Sequence, residues 1–146
     1  MSALAEFIRL PVSAVDELRS HFGETVEKEG RPAVEFDWSG HVLVTLLPYL
    51  AECGINLMES PYKAIARQLS ESRRASIFIF TPEHRKAFHD KLAPDLFSSD
   101  DLGEYFQDST GRFEPGIGSA MLDGIAAIQK SLAALDAKSV ILLSIG

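Results

Sequence analysis

Cysteine is nearly absent from this chain of 146 residues: Cys53 stands alone. No intramolecular disulfide can form, and such usage suits a reducing compartment. Long apolar runs are missing as well. No stretch reaches the about 18 consecutive apolar residues of a membrane-spanning helix, so no membrane partner is expected. The opening Met1-Ser2-Ala3-Leu4-Ala5-Glu6 has neither the basic start nor the apolar middle of a secretory leader. A cytoplasmic location is the expectation that follows. Basic charge is also short, with 14 Lys plus Arg against 21 Asp plus Glu and a net charge of −7. A duplex-binding protein needs a basic face to displace counterions, so nucleic acid is not an expected partner. The acidic surplus reads as a contribution to solubility. No internal repeat, low-complexity tract or linker divides the chain, and its length fits one globular domain over residues 1–146. A domain of this size buries about 68–70% of the surface its unfolded chain exposes, enough to be stable without a metal or disulfide, and no cofactor is expected.

What is present is concentrated near the C-terminus. Met121, Ile125, Ile128, Leu132 and Leu135 recur at spacings of four and three, which makes one apolar stripe along a helix. Val140-Ile141-Leu142-Leu143-Ser144-Ile145 then reads as a strand buried on both faces. Upstream, Phe7 to Leu10 reads as a short strand stopped by Pro11. A helix capped by Ser13 follows as far as Gly23, and a charged loop runs from Glu24 to Pro32. Ala33 to Trp38 alternates like a half-buried strand, with Val34, Phe36 and Trp38 on one face. Residues 41 to 53 form an apolar helix expected at the centre of the core, with a kink or short break at Pro48. Ser60-Pro61 and Thr81-Pro82 are cap-then-proline helix starts, Ser76 to Phe80 is a further strand, and Ser98 or Ser99 opens one more helix. The sum is an α+β fold: a single compact domain with a small mixed sheet of three to five short strands, about six helices and a buried C-terminal strand.

Candidate chemistry is sparse. Asp37-Trp38-Ser39-Gly40-His41 lies at a strand-to-helix turn, where α/β architectures often place functional groups. Asp37 and His41 are candidates for an oriented acid–base pair, with Trp38 and Ser39 as candidate ligand contacts. The alternative reading makes Trp38 a core anchor, Ser39 a helix cap and His41 a solvated first-turn residue. His84 and His89 are five residues apart on one predicted helix. Five steps turn about 140°, so their imidazoles diverge, and no metal site is expected from two solvated helix residues. Gly116-Ile117-Gly118-Ser119 precedes the long helix without a following Lys-Ser/Thr, so it reads as a loop whose Ser119 caps the helix. Cys53 has no catalytic context and reads as a small buried or half-buried thiol. Arg73-Arg74, with Lys63 and Arg67, makes a small basic spot on a helix end.

The order of pieces from residue 33 to 146 resembles one family. Phe36-Asp37-Trp38 leading into Val42 to Leu50, the helix start Phe80-Thr81-Pro82-Glu83-His84 followed by Leu92, and the final helix with Val140 to Gly146 are similar to segments of the YfbM-like proteins, a bacterial family of unknown function. The resemblance implies a small bacterial α+β fold and brings no catalytic residues with it. Two functional classes stay open. One is a binding or regulatory module acting through protein–protein contacts, its partner another protein or a second copy as a homodimer. The other is a small-molecule-binding protein or enzyme using the Asp37–His41 turn.

Overall fold

The computed structural model describes residues 3–146. Met1 and Ser2, the start of the segment read above against a leader, lie outside the described residues. The elements in chain order are β1 (Ala5–Pro11), a 3-10 segment (Val12–Glu17), α1 (Leu18–Glu29), β2 (Arg31–Val34), α2 (His41–Glu52), α3 (Lys63–Arg73), β3 (Ser76–Phe80), α4 (Pro82–Phe88), 3-10 segments at His89–Leu92 and Pro94–Leu96, α5 (Ser99–Thr110), α6 (Ile117–Ala133) and β4 (Ser139–Ile145). The strands form one sheet in the order β2-β1-β4-β3, packed with helices as an α+β domain. No helix among the described residues is long and apolar enough to cross a membrane.

The apolar C-terminal run is the inner strand its composition implies. Successive side chains of a strand point to opposite faces. Val140 and Leu142 accordingly enter one core, with Leu10, Val15, Leu18, Ile65, Leu69, Ile77 and Ile79. Ile141, Leu143 and Ile145 enter the other, with the apolar faces of α2, α5 and α6. Val140, Ile141, Leu142 and Leu143 are essentially inaccessible to water, and fully burying each such side chain is worth about 1.5–3 kcal/mol. The predicted stripe is equally complete: Met121, Ile125, Ile128 and Leu132 are buried on α6, and Leu135, just past its end, is buried too.

One part of the expected sheet is corrected. It is antiparallel in all three pairings rather than mixed. The chain leaves β1 at Pro11 and enters β2 at Arg31, which sits opposite Arg9. The intervening helix therefore returns the chain to the same end of the sheet. A parallel neighbour would need a crossover that carries it to the opposite end.

Helix α2 is central, as its composition requires: Leu43, Leu46, Leu47 and Leu50 are fully buried. It packs closely on α6 because Gly124 has no side chain; a Cβ there would lie 3.0 Å from a Leu46 methyl and 3.2 Å from one of Leu43. The break expected at Pro48 does not occur, and the helix runs from His41 to Glu52. Val44 and Pro48 both lie on its exposed side, where water can take the Val44 carbonyl that the proline leaves without a donor.

Other boundaries move. The loop expected over residues 24–32 is mostly helix, because α1 continues through Gly23 to Glu29 after a non-helical residue at His21. Its polar sequence hid it: only Leu18 and Thr25 are buried. The strand expected over residues 33–38 is instead Arg31–Val34, and the segment that follows leaves the sheet. Thr81 and Ser98 do cap α4 and α5, accepting hydrogen bonds from the backbone N–H of His84 and Asp101. Neither Ser13 nor Ser119 is a cap. The first lies inside a 3-10 segment, and the second lies inside α6, whose start is set by Gly116 at φ 78°.

Candidate functional site

The segment from Glu35 to Gly40 is pinned at its two buried residues, Phe36 and Gly40. Phe36 joins the core beneath α2 and α6. Gly40 donates its N–H to the Ala3 carbonyl at 2.8 Å. A Cβ on Gly40 would lie 2.5 Å from the Ile145 Cγ2 methyl, so a glycine lets this turn lie against the end of β4. Those anchors fix the residues between and beside them.

Trp38 is not the core anchor one reading made of it. It is 42% exposed, and its indole N–H donates to Asp123 Oδ2 on α6 at 2.8 Å. The bond ties the ring to the scaffold while leaving much of it in water. Ser39 acts on the start of α2: its hydroxyl accepts the His41 N–H at 3.3 Å and its carbonyl accepts the Val42 N–H at 3.1 Å. His41 is exposed. Asp37 lines a depression at the sheet edge with Arg31, Glu35 and residues of β1. His41 lines a different one. No hydrogen bond or ion pair joins Asp37 to His41 among the described residues.

The His41 depression is a groove of about 590 Å³. One wall is the start of α2, with Ser39, His41, Val42, Val44 and Thr45. The other is the end of α5 and its loop, with Phe106, Thr110, Arg112 and Glu114. Gly111 ends α5 in the left-handed region at φ 70°. Thr110 then holds the departing loop: its hydroxyl donates to the Phe106 carbonyl at 2.7 Å and accepts the Arg112 N–H at 3.2 Å. This arrangement presents Arg112, and beside it Phe113, which is 75% exposed. Imidazole, guanidinium and hydroxyl groups thus face apolar side chains across one cleft, a surface fit for binding by mixed contacts. Arg112, Phe113 and Thr110 were missed in sequence because about 70 residues separate them from the Trp38–His41 turn. Their only local signal is an Arg-Phe pair in a loop otherwise built of Gly, Pro and acids.

The remaining candidates resolve into structure. His84 is buried, not solvated as expected. Its Nδ1 accepts the Thr81 N–H at 3.0 Å, so Nε2 carries the proton and donates to the Glu59 carbonyl at 2.7 Å. Burial pushes its pKa below the ordinary histidine value, against the smaller opposing effects of the Glu59 hydrogen bond and the Glu83 charge. His89 lies beside Asp90 at 3.1 Å. No three His, Cys, Asp or Glu side chains among the described residues converge as metal ligands. Cys53 is exposed rather than buried, at the C-terminal cap of α2. Gly118 is required by packing: a Cβ there would lie 2.1 Å from the Ser99 carbonyl oxygen, where the starts of α5 and α6 touch. No protein-family model, no curated protein and no solved structure matches this chain.

Proposed function

We propose that the protein is a small binding or regulatory module that engages another protein through the groove between the start of α2 and the end of α5. The observation carrying this reading is a pair of exposed aromatics, each next in sequence to a residue that lines the groove, Ser39 or Arg112. Trp38 is held by Asp123 with a large part of its ring open, and Phe113 projects from the opposite loop next to Arg112. Trp and Arg are among the side chains enriched at binding hot spots, and a ring already fixed by a hydrogen bond loses little freedom on docking. Val44, on the α2 wall, adds an exposed apolar contact. Cytoplasmic residence and membership of the YfbM-like bacterial family belong to the same proposal.

The test uses Phe113→Ser and Val44→Asp, two exposed positions at which the fold should survive, as thermal melting would verify. A protein co-purifying with the wild-type chain should lose about tenfold or more in recovery with each variant, the weakening expected when a hot-spot side chain is removed. Recovery of the same proteins by wild type and both variants would contradict the reading. Sedimentation over a range of concentrations identifies a second copy of the chain as the partner, if the association is again lost in the variants.

A second reading places a small molecule in the same groove, favoured by His41 and Arg112 on facing walls. It is distinguished by saturable shifts of groove amides on adding a small carboxylate such as succinate, with loss of those shifts in Arg112→Gln.

A further inference from the structure

A second set of cations gathers near the α6–β4 connection. Strand pairing sets Arg9 directly opposite Arg31. Opposed residues on antiparallel strands hold their Cβ atoms about 4.5–5.5 Å apart, and like charges so placed are destabilising. Arg9 turns toward Asp136, its Nη2 donating to Oδ2 at 2.9 Å. Its Nε is buried and has no hydrogen-bond partner, while the side chain as a whole is 42% exposed. Arg31 donates from Nη1 to the carbonyls of Gly30 at 2.7 Å and Lys28 at 3.4 Å. Among the described residues, neither Arg31 nor Lys138 has a carboxylate within 4.0 Å. The three cations line one concavity of about 260 Å³ with the carboxylates of Glu29 and Asp136. Cations therefore outnumber acids here, on a chain whose net charge is −7.

Asp136 is already engaged. Its Oδ1 accepts the Lys138 N–H at 2.8 Å and its own N–H donates to the Ser139 hydroxyl at 3.0 Å, which closes the turn into β4. Its carboxylate holds the turn and steadies Arg9, which leaves Arg31 and Lys138 with Glu29 as the one other acid lining the concavity, paired with neither.

We propose that this concavity is an anion site that takes a phosphoryl group between Arg9, Arg31 and Lys138. Two guanidinium forks match the geometry of phosphate oxygens, and a lysine adds a point charge. A doubly charged oxyanion there removes the repulsion between the opposed arginines. The volume admits a phosphoryl group with a small organic remainder; drug-sized ligands occupy sites of about 300–1,000 Å³. The site shares no lining residue with the α2–α5 groove, and it stands or falls independently of that reading.

The experiment titrates the full chain with inorganic phosphate and, separately, with glycerol phosphate, at ionic strength held constant with sodium chloride. Amide shifts and thermal melting are followed together. The expected result is saturable shifts at Gly30, Arg31 and Lys138 with a rise in melting temperature. Arg31→Gln and Lys138→Gln, both exposed positions, should each weaken binding by about tenfold, the cost of one charge-assisted contact. Arg31→Gln should also melt no lower than wild type when phosphate is absent, because the opposed charge is gone. Tighter binding of the ester assigns a phosphorylated small molecule, and equal binding assigns the free ion. Wild-type shifts that do not saturate, that chloride reproduces, or that persist unchanged in both folded variants would overturn the proposal.

Discussion

The two faces of the sheet share its inner strands β1 and β4 and are otherwise built differently. On one face α2, α5 and α6 press a continuous set of Leu, Ile, Met and Phe side chains against Phe7, Ile141, Leu143 and Phe80. On the other, the 3-10 segment, α1 and α3 cover a smaller set around Leu10, Val140 and Leu142. Helix α1 contributes only Leu18 and Thr25 to the interior, and α3 contributes Ile65, Ala66 and Leu69. The contrast shows where the fold is determined: one layer is a core with helices inside it, and the other is a cover laid over the same strands. The candidate groove belongs to the first layer. Its walls are the exposed sides of α2 and α5, helices whose opposite sides are fixed in that core.

Removing β4 should have the largest effect. A chain lacking residues 140–146 loses an inner strand that feeds both layers and is expected not to melt cooperatively. A soluble truncation with a sharp thermal transition would break the comparison. Next come the helices. Leu46→Ala should cost about 2–5 kcal/mol by chemical denaturation. Leu69→Ala should fall at the lower end of about that same range, since its surroundings are a thin cover that can collapse into the space. A greater cost at Leu69 would invert the assignment of core and cover.

A smaller effect is expected where α4 joins the 56–60 loop. His84→Ala leaves the Thr81 N–H and the Glu59 carbonyl without their side-chain partner, at a cost of about 1–3 kcal/mol. The same residue carries a pH dependence. Burial lowers its folded pKa, so below about 6.5 the unfolded chain takes up a proton that the folded chain resists. Its contribution to stability is complete above that pH and is lost as pH falls from there toward the folded value. Melting temperature should decline over that acid window and decline less in His84→Gln; identical slopes would remove His84 as the cause. The smallest change is a gain. Arg74 ends α3 in the left-handed region at φ 53°, a conformation glycine adopts without cost, so Arg74→Gly should stabilise by about 1 kcal/mol. A loss there would mean that its exposed side chain makes an unrecognised contact.

The sequence was most legible where apolar residues follow a period. The α6 stripe and the β4 run declare both element type and burial, because each residue has one face to which it can go. Thr81-Pro82 and Ser98 are legible for a different reason, since their hydroxyls meet helix N–H groups within three residues. Helix α1 was not legible: it is polar, kinked at His21 and held by few buried side chains, so no stripe marks it. Trp38 misled because size and hydrophobicity predict burial, whereas a long-range bond to Asp123 decides its place. The groove was half legible. Ser39 and His41 stood out as a strand-to-helix turn, but Arg112 reaches that surface only through the packing of α5 beside α2. The Arg9–Arg31 opposition was hidden too, since it requires the strand register and not merely the strands.

The central claim is that β4 is an interior strand whose side chains enter both layers. Native-state hydrogen exchange tests it most directly. Amides of Val140 to Leu143 should exchange only through global unfolding, with protection equal to the full stability, while amides of α1 exchange by local opening well below it. Protection of the β4 amides no greater than that of α1 would contradict the claim.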